Sequence, residues 1–147
     1  MQIKIKKVRS INDIAGLIDE LDFEMLKLIG KKTSIKKLRK RKKKIPKSKN
    51  LIVYLVLYND IPAGFCSANI YEDYRGKKAS IEDMYVKKQY RERGIGTKIL
   101  QKMLNELHKR KVYFVFAFTP STNIDGIKLY KFNGFKDLKS VVFYRQI

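Results

Sequence analysis

The spacing of hydrophobic residues divides the chain into strands and helices. Residues 2–9 alternate isoleucine or valine with polar residues, and this period of two is typical of a half-buried strand. Residues 51–58 form a continuous apolar run, which is typical of a strand buried on both faces. Hydrophobic residues that recur every three to four positions predict helices, including one at about residues 95–110.

The order of these elements predicts the fold class. The predicted elements are a strand at 2–9, helices at 10–30 and 33–44, strands at 51–58, 65–71 and 80–86, a helix at 95–110, a strand at 112–118, a helix at 125–132 and a final strand at 141–145. A strand–helix–strand unit at residues 80–118 predicts a right-handed parallel crossover, and turns elsewhere predict antiparallel neighbours. We therefore predict an α/β (α+β) fold with a mixed, mostly antiparallel sheet, in a single domain of residues 1–147.

A basic, glycine-rich loop joins the strand at 80–86 to the helix that follows it. Gly94 and Gly96 have no side chain, so backbone N–H groups can approach a phosphate closely. The start of the helix adds unpaired N–H groups and the positive end of its dipole. Arg91 and Arg93 carry forked donors that suit phosphate oxygens. The loop therefore predicts a binding site for a pyrophosphate, although it matches neither the Walker motif nor the three-glycine dinucleotide motif.

The charge of the chain is strongly positive and unevenly distributed. There are 34 basic and 14 acidic residues, giving a net charge of +20. Residues 31–49 contain twelve lysines or arginines and no acidic residue. Such a segment is either a solvated surface that reflects composition, or a contact for a polyanion such as RNA, DNA or an anionic membrane. The sequence leaves both interpretations open.

Several classes of protein are disfavoured by what the sequence lacks. No apolar run reaches 18 residues, so no membrane span is expected. A single cysteine, Cys66, excludes an internal disulfide, and a single histidine, His108, makes a histidine-based metal site hard to build. We therefore expect a cytoplasmic protein without a metal ion.

A second motif lies about thirty residues after the glycine-rich loop. It has the form N…LY…GF, formed by Asn123, Leu129, Tyr130, Gly134 and Phe135. Together with Arg91, Gly94 and Gly96, which match the motif R/Q-x-x-G-x-G/A, it makes the chain resemble the GNAT superfamily of N-acetyltransferases. The resemblance covers about residues 51–147. It implies that a central pair of parallel strands splays apart around acetyl-CoA, with helices on both faces of the sheet.

The resemblance also implies which residues form the site. It places Glu82 as the catalytic base and Tyr130 as the group that acts on the leaving thiolate. Tyr130 is better described as a hydrogen-bond donor to the sulfur than as a full acid. The residues expected to bind the cofactor are Met84, Tyr85, Val86, Arg91, Glu92, Arg93, Gly94, Ile95, Gly96, Thr97, Asn123 and Tyr130. Asn123 is equally explained as the N-cap of a helix. Glu72, Asp73 and Asp83 are candidates for binding the amine acceptor.

The chemistry of acyl transfer gives an independent reason to look for a carboxylate. An alkyl amine with a pKa of about 10.4 is only about 0.1% neutral near pH 7.4, so a nearby group should take its proton. Glu82 and Asp83 are the best candidates. Neighbouring residues of a regular strand point to opposite faces, so only one of the two should face the cleft unless a bulge intervenes.

Two functions of different classes remain open. The first is transfer of an acetyl group from acetyl-CoA to a primary amine, either a small amine or a protein N-terminus or lysine, by direct attack in a ternary complex. The second is a nucleic-acid- or ribosome-associated binding module on the same scaffold, without catalysis. The resemblance also makes a homodimer through the edge of the sheet an expectation, and segment 31–49 is the candidate contact for a polyanion.

Overall fold

The computed structural model describes residues 2–29, 48–143, 145 and 147. Its strands are β1 (Ile3–Lys7), β2 (Leu51–Tyr58), β3 (Ile61–Asp73), β4 (Gly76–Val86) and β5 (Phe114–Ala117). Its α-helices are α1 (Ala15–Ile29), α2 (Ile95–Lys109) and α3 (Ile124–Phe132), with short 3-10 turns at Ile11–Asp13 and Lys88–Tyr90. The predicted helix at 33–44 and most of the basic segment 31–49 lie outside the described residues.

The five strands form one mixed sheet in the order β1-β2-β3-β4-β5. Neighbours from β1 to β4 are antiparallel, and β5 is parallel to β4. The parallel pairing is short, because it joins only residues 78–81 of β4 to residues 114–117 of β5. From Glu82 to Val86, β4 continues without a partner on that side among the described residues. The mixed sheet is therefore confirmed, and β4 and β5 separate after Ile81. The prediction that the parallel pair is central is wrong for the described residues, because β5 is the last strand of their sheet.

Two hydrophobic clusters lie on opposite faces of the sheet. Ile14, Leu17 and Ile18 of α1 pack on one face against Val53, Phe65 and Tyr85. The buried side of α2 packs on the other face, with Leu129 and Tyr130 of α3 at its margin. The residues of β2 alternate between the clusters, which explains why its sequence is apolar throughout. We call these faces the α1 face and the α2 face; the prediction of helices on both faces is confirmed.

Two local predictions differ from the structure. The predicted connection at residues 72–78 is instead a tight hairpin, because β3 and β4 pair as far as Asp73 and Gly76. The predicted strand at 141–145 is wrong for its described residues, none of which belongs to a strand. Val141, Val142 and Phe143 have the composition of a strand but are largely exposed. A high strand propensity does not make a strand unless a neighbouring edge pairs with it.

Gly64 gives a sharp test of the pairing between β3 and β4. A Cβ at this position would lie 2.4 Å from the Tyr85 carbonyl oxygen and 3.1 Å from the Val86 Cα, both of them backbone atoms. Gly64→Ala should therefore destabilise the protein by about 1–3 kcal/mol, measured as the free energy of unfolding in urea. Gly16→Ala is the control, since a Cβ there meets nothing within 4 Å and helix propensity favours alanine. A Gly64→Ala variant as stable as the parent would contradict this register.

Candidate functional site

A β-bulge brings the two candidate carboxylates to the same face of the sheet. Ser67 of β3 pairs with Asp83 and Ala68 pairs with Ile81, which leaves Glu82 as an extra residue in β4. Ile81 and Tyr85 are four residues apart and would share a face in a regular strand, yet they belong to opposite clusters. The bulge therefore lets both Glu82 and Asp83 face the α1 side.

Glu82 and Asp83 line one cavity between α1 and the sheet. The cavity has a volume of about 210 Å³. Its other lining residues are mostly apolar: Ile14, Ile18, Leu51, Val53, Phe65 and Ser67. The Ser67 hydroxyl donates to the Asp83 carboxylate at 3.0 Å and accepts from the Asp83 backbone N–H at 3.0 Å. Glu82 accepts a hydrogen bond from the Ser80 hydroxyl. Glu82 is exposed to solvent, whereas the apolar lining residues are buried or half-buried.

Tyr130 reaches the same region from the opposite face. It lies in α3, packs against the α2-face cluster, and contacts the Phe135 ring with 5.3 Å between centroids. Burial raises the pKa of the Tyr130 hydroxyl well above its usual value, and the negative charge of the Asp83 carboxylate raises it further. The hydroxyl therefore stays protonated at physiological pH and can act as a hydrogen-bond donor.

Cys66 lies close to this centre but has the properties of a core residue. It is fully buried, and burial raises the pKa of its thiol to about 12, with the Asp83 carboxylate adding to the shift. A thiol of that pKa is almost entirely protonated near neutral pH, so it is a poor nucleophile.

The glycine-rich loop forms a cradle of backbone N–H groups at the start of α2. Glu92 and Gly94 have left-handed backbone conformations, with φ of 60° and 72°. Gly94 is the N-cap of α2, and no side chain caps the helix. Within the described residues, the backbone N–H groups of residues 92–97 donate to no protein acceptor. These donors and the positive end of the α2 dipole fit the pyrophosphate of acetyl-CoA.

The two arginines of the loop have protein partners in the structure. The Arg91 guanidinium donates to the Val86 carbonyl at 2.8 Å and to the Glu24 carboxylate at 2.9 Å, so it ties the loop to α1. The Arg93 guanidinium donates to the Tyr58 hydroxyl at 2.9 Å and lies 5.3 Å from the centre of that ring. Neither guanidinium is directed into the cradle, contrary to the expectation from sequence. In the described residues, the donors directed into the cradle are therefore those of the backbone, and phosphate binding by Arg91 and Arg93 stays a prediction.

Gly96 and Asn123 also hold the site together. A Cβ at Gly96 would lie 3.3 Å from Leu129 and 3.6 Å from Met84, so the glycine allows α2 to approach α3 closely. The Asn123 side chain accepts from the Gly126 N–H at 3.1 Å and donates to the Thr119 hydroxyl at 2.9 Å. Its role as an N-cap is therefore confirmed, while a contact with the cofactor stays a prediction.

The remaining predicted cofactor residues lie along β4 and at the start of α2. Met84 and Val86 pack on the α2 face, whereas the Tyr85 side chain lies on the α1 face with its hydroxyl donating to Glu20 at 3.1 Å. Their backbone follows the unpaired edge of β4, where an extended ligand can add as a strand does. Ile95 is buried and Thr97 is partly exposed in the first turn of α2.

Glu72 and Asp73 lie apart from this centre. They belong to the far end of the β3–β4 hairpin, where Asp73 pairs with Gly76. Gly76 and Asp83 are seven positions apart in β4, a distance of about 23 Å along a strand. Asp73 accepts hydrogen bonds from Lys78 and from the Arg75 N–H, which lower the pKa of its carboxyl. Asp73 therefore stabilises the hairpin, and the structure does not bring it to the cavity.

Two serines that sequence reasoning missed complete the centre. The Ser67 hydroxyl donates to Asp83 and the Ser80 hydroxyl donates to Glu82. Both serines lie in strands whose sequence shows no sign of a functional role. No local motif marks them, because their role depends on the register between β3 and β4.

In the described part of the chain, no group of three or more His, Cys, Asp or Glu side chains could hold a metal ion, and no helix is long and apolar enough to cross a membrane.

Comparison with known proteins identifies the family of the chain. Residues 20–135 match the model of the acetyltransferase (GNAT) family. The chain belongs to the GNAT acetyltransferase family. The resemblance noted from the two sequence motifs is thereby confirmed.

A curated relative of this GNAT protein matches part of the chain. A thialysine N-epsilon-acetyltransferase of Mus musculus is 41% identical over 70 residues, which are 47% of this chain and 41% of that protein. This chain thus matches about two fifths of the length of that relative.

Solved structures show the same fold at low sequence identity. The aminoglycoside acetyltransferase AAC(6')-Iy, solved with a CoA bisubstrate analogue, superposes with a TM-score of 0.81 at 18% identity, covering 100% of this chain and 99% of that one. A predicted acetyltransferase of Clostridium acetobutylicum, solved with acetyl-CoA, has a TM-score of 0.78 at 19% identity and covers 98% and 96%.

Proposed function

We propose that the protein transfers an acetyl group from acetyl-CoA to a primary amine by direct attack in a ternary complex. The observation that carries the proposal is the division of the site between the two faces of the sheet. Two carboxylates line a cavity on the α1 face, while the donor cradle and Tyr130 lie on the α2 side. The gap between β4 and β5 beyond Ile81 joins them. Two substrates can therefore meet there from opposite sides.

Glu82 is the proposed base. It is the extra residue of the bulge, it lies one residue past the last parallel pair, and its carboxylate accepts a hydrogen bond from the Ser80 hydroxyl. Deprotonating an amine of pKa about 10.4 near pH 7.4 costs about 4 kcal/mol, which a carboxylate acting directly or through water helps to supply. Asp83 is held by Ser67 and contributes negative charge to the acceptor cavity.

The unpaired edge of β4 and Tyr130 are the proposed electrophilic groups. Backbone N–H groups near Met84 to Val86 would polarise the thioester carbonyl as an oxyanion hole does. Tyr130 would donate a hydrogen bond to the departing sulfur. Because a phenol is a weaker acid than a thiol, with pKa values of about 10 and 8.5, full proton transfer to the thiolate is uphill by about 2 kcal/mol.

Tyr130→Phe tests this limited role. Because the variant keeps the ring and its contact with Phe135 but removes the donor, kcat should fall by about tenfold with a smaller change in KM. Steady-state kinetics with a saturating amine measures both parameters. Tyr71→Phe is the control, since Tyr71 is 41% exposed and lies near the far end of β3. An unchanged kcat in Tyr130→Phe would remove Tyr130 from the mechanism.

The acceptor is proposed only as a class. The thialysine acetyltransferase relative and the aminoglycoside acetyltransferase structures support a small primary amine. A protein N-terminus or lysine is the alternative acceptor within the same chemistry. Cofactor binding is tested first: acetyl-CoA should raise the melting temperature, because a ligand that binds only the folded state stabilises it.

A turnover screen then tests the reaction itself. Release of free CoA thiol should require both acetyl-CoA and a primary amine, and a tertiary amine of similar size should be inactive. If acetyl-CoA raises neither the melting temperature nor thiol release with any amine, the proposal is wrong. Salt-sensitive RNA or DNA binding in that same case would favour the binding module.

A further inference from the structure

The α1 face of β5 carries a row of three phenylalanine rings. The centroids of Phe114 and Phe116 are 4.6 Å apart, and those of Phe116 and Phe118 are 6.3 Å apart with nearly parallel planes. Phe114 is 40% exposed and Phe118 is 65% exposed. The other side of β5, with Val115 and Ala117, packs on the α2-face cluster. Among the residues that the structure describes, the phenylalanine row is thus an apolar surface left partly exposed.

The middle of this row lies beside the serine that binds the proposed base. Ser80 pairs in register with Phe116, and the Ser80 hydroxyl donates to Glu82. Paired residues of neighbouring strands are about 4.8 Å apart and share a face of the sheet, so the Phe116 ring lies next to Ser80, which donates to the carboxylate. On the other side of Glu82 the cavity is walled by residues such as Val53 and Phe65. The carboxylate therefore lies between two apolar surfaces.

We propose that the acceptor is a monoamine with an apolar body, which lies on the phenylalanine row while its amino group is held at Glu82. The inference rests on the proposed function and narrows its substrate class. The rings offer no hydrogen-bond partner, so a hydroxyl-rich acceptor would leave polar groups unpaired when it covers them. A net charge of +20 also disfavours the approach of polycationic acceptors.

A series of linear alkyl amines tests the inference. Ethylamine, butylamine and hexylamine differ in apolar length but have amino groups of similar basicity. We expect kcat/KM to rise by about fourfold for each added methylene that reaches the row, the factor that corresponds to about 0.8 kcal/mol per buried CH₂. Glucosamine, a hydroxyl-rich primary amine, should be at least about tenfold poorer than hexylamine.

Phe118→Ala tests whether the phenylalanine row is the surface that causes the preference for longer alkyl amines. It should remove most of the preference for hexylamine over ethylamine, through a fall in kcat/KM for hexylamine. Phe132→Ala is the matched control, because Phe132 is 78% exposed but lies on α3. That variant should keep the full preference.

The outcomes separate this inference from the proposed function. If amines are acetylated with no dependence on chain length, or if Phe118→Ala keeps the preference, the apolar-body inference fails and acetyl transfer stands. If sedimentation shows that Phe118→Ala dissociates a dimer while the preference is unchanged, the row is an interface between copies and the inference also fails. Absence of acetyl-CoA-dependent turnover with every amine would instead overturn the proposed function.

Discussion

Glu82→Gln should lower kcat/KM for an alkyl amine at pH 7.4 by about 100- to 1,000-fold. Glutamine keeps the size of the side chain and can still receive the Ser80 hydrogen bond, but it cannot take a proton. The protein must then use the small fraction of amine that is already neutral in solution. That fraction grows about tenfold per pH unit up to the amine pKa, so the difference between parent and variant should shrink steadily from pH 7 to pH 10.

Matched variants isolate the proton-transfer role of Glu82. Glu72→Gln is the control for a lost carboxylate, because Glu72 is exposed on β3 opposite Lys77, away from the cavity. Asp83→Asn removes the second cavity carboxylate and should raise KM more than it lowers kcat, since Asp83 is held by Ser67. If Glu82→Gln retains parental kcat/KM and Asp83→Asn loses it with the same pH dependence, then Asp83 is the base.

Gly94→Asp should weaken acetyl-CoA binding by about 30-fold or more. A Cβ at Gly94 meets nothing within 4 Å, and aspartate and asparagine tolerate its left-handed backbone better than other residues do. The fold should therefore accept the change, while the new carboxylate lies among the N–H groups of the cradle. Two charges about 4 Å apart near a protein surface repel by about 4 kcal/mol, and solvent screening reduces this value.

Gly94→Asn is the matched variant for this experiment. It has the same shape and the same backbone tolerance as aspartate, so the ratio of the two dissociation constants reports the charge alone. Calorimetric titration with acetyl-CoA at two salt concentrations measures it, and the ratio should fall at high salt. Equal affinity of the two variants would mean that no phosphate lies near Gly94.

The parts of the site that depend on neighbouring residues in sequence could be predicted. The glycine-rich loop, the apolar face of α2 and the order of strand, loop and helix are local signals, and together they place a cradle at residues 92–97. The short parallel pairing of β4 with β5 also follows from the crossover rule. The N-cap role of Asn123 could be stated as an alternative because asparagine favours that position.

The parts of the site that depend on the register between strands distant in sequence could not be predicted. The bulge at Glu82 requires the pairing of Ser67 with Asp83, and the sequence of β4 alone gives no sign of an extra residue. The partner of Arg91 is Glu24, 67 positions earlier, so its guanidinium was expected at the phosphate. Pairing with a distant edge was equally decisive for residues 141–143, whose composition favours a strand that does not form.

The structure of the full chain in complex with acetyl-CoA tests the account most directly. The diphosphate should accept hydrogen bonds at about 2.7–3.2 Å from backbone N–H groups between residues 92 and 97, with the acetyl group in the gap between β4 and β5 near Glu82. Acetyl-CoA bound elsewhere, or a diphosphate held by arginine side chains while these N–H groups donate to other protein atoms, would contradict it.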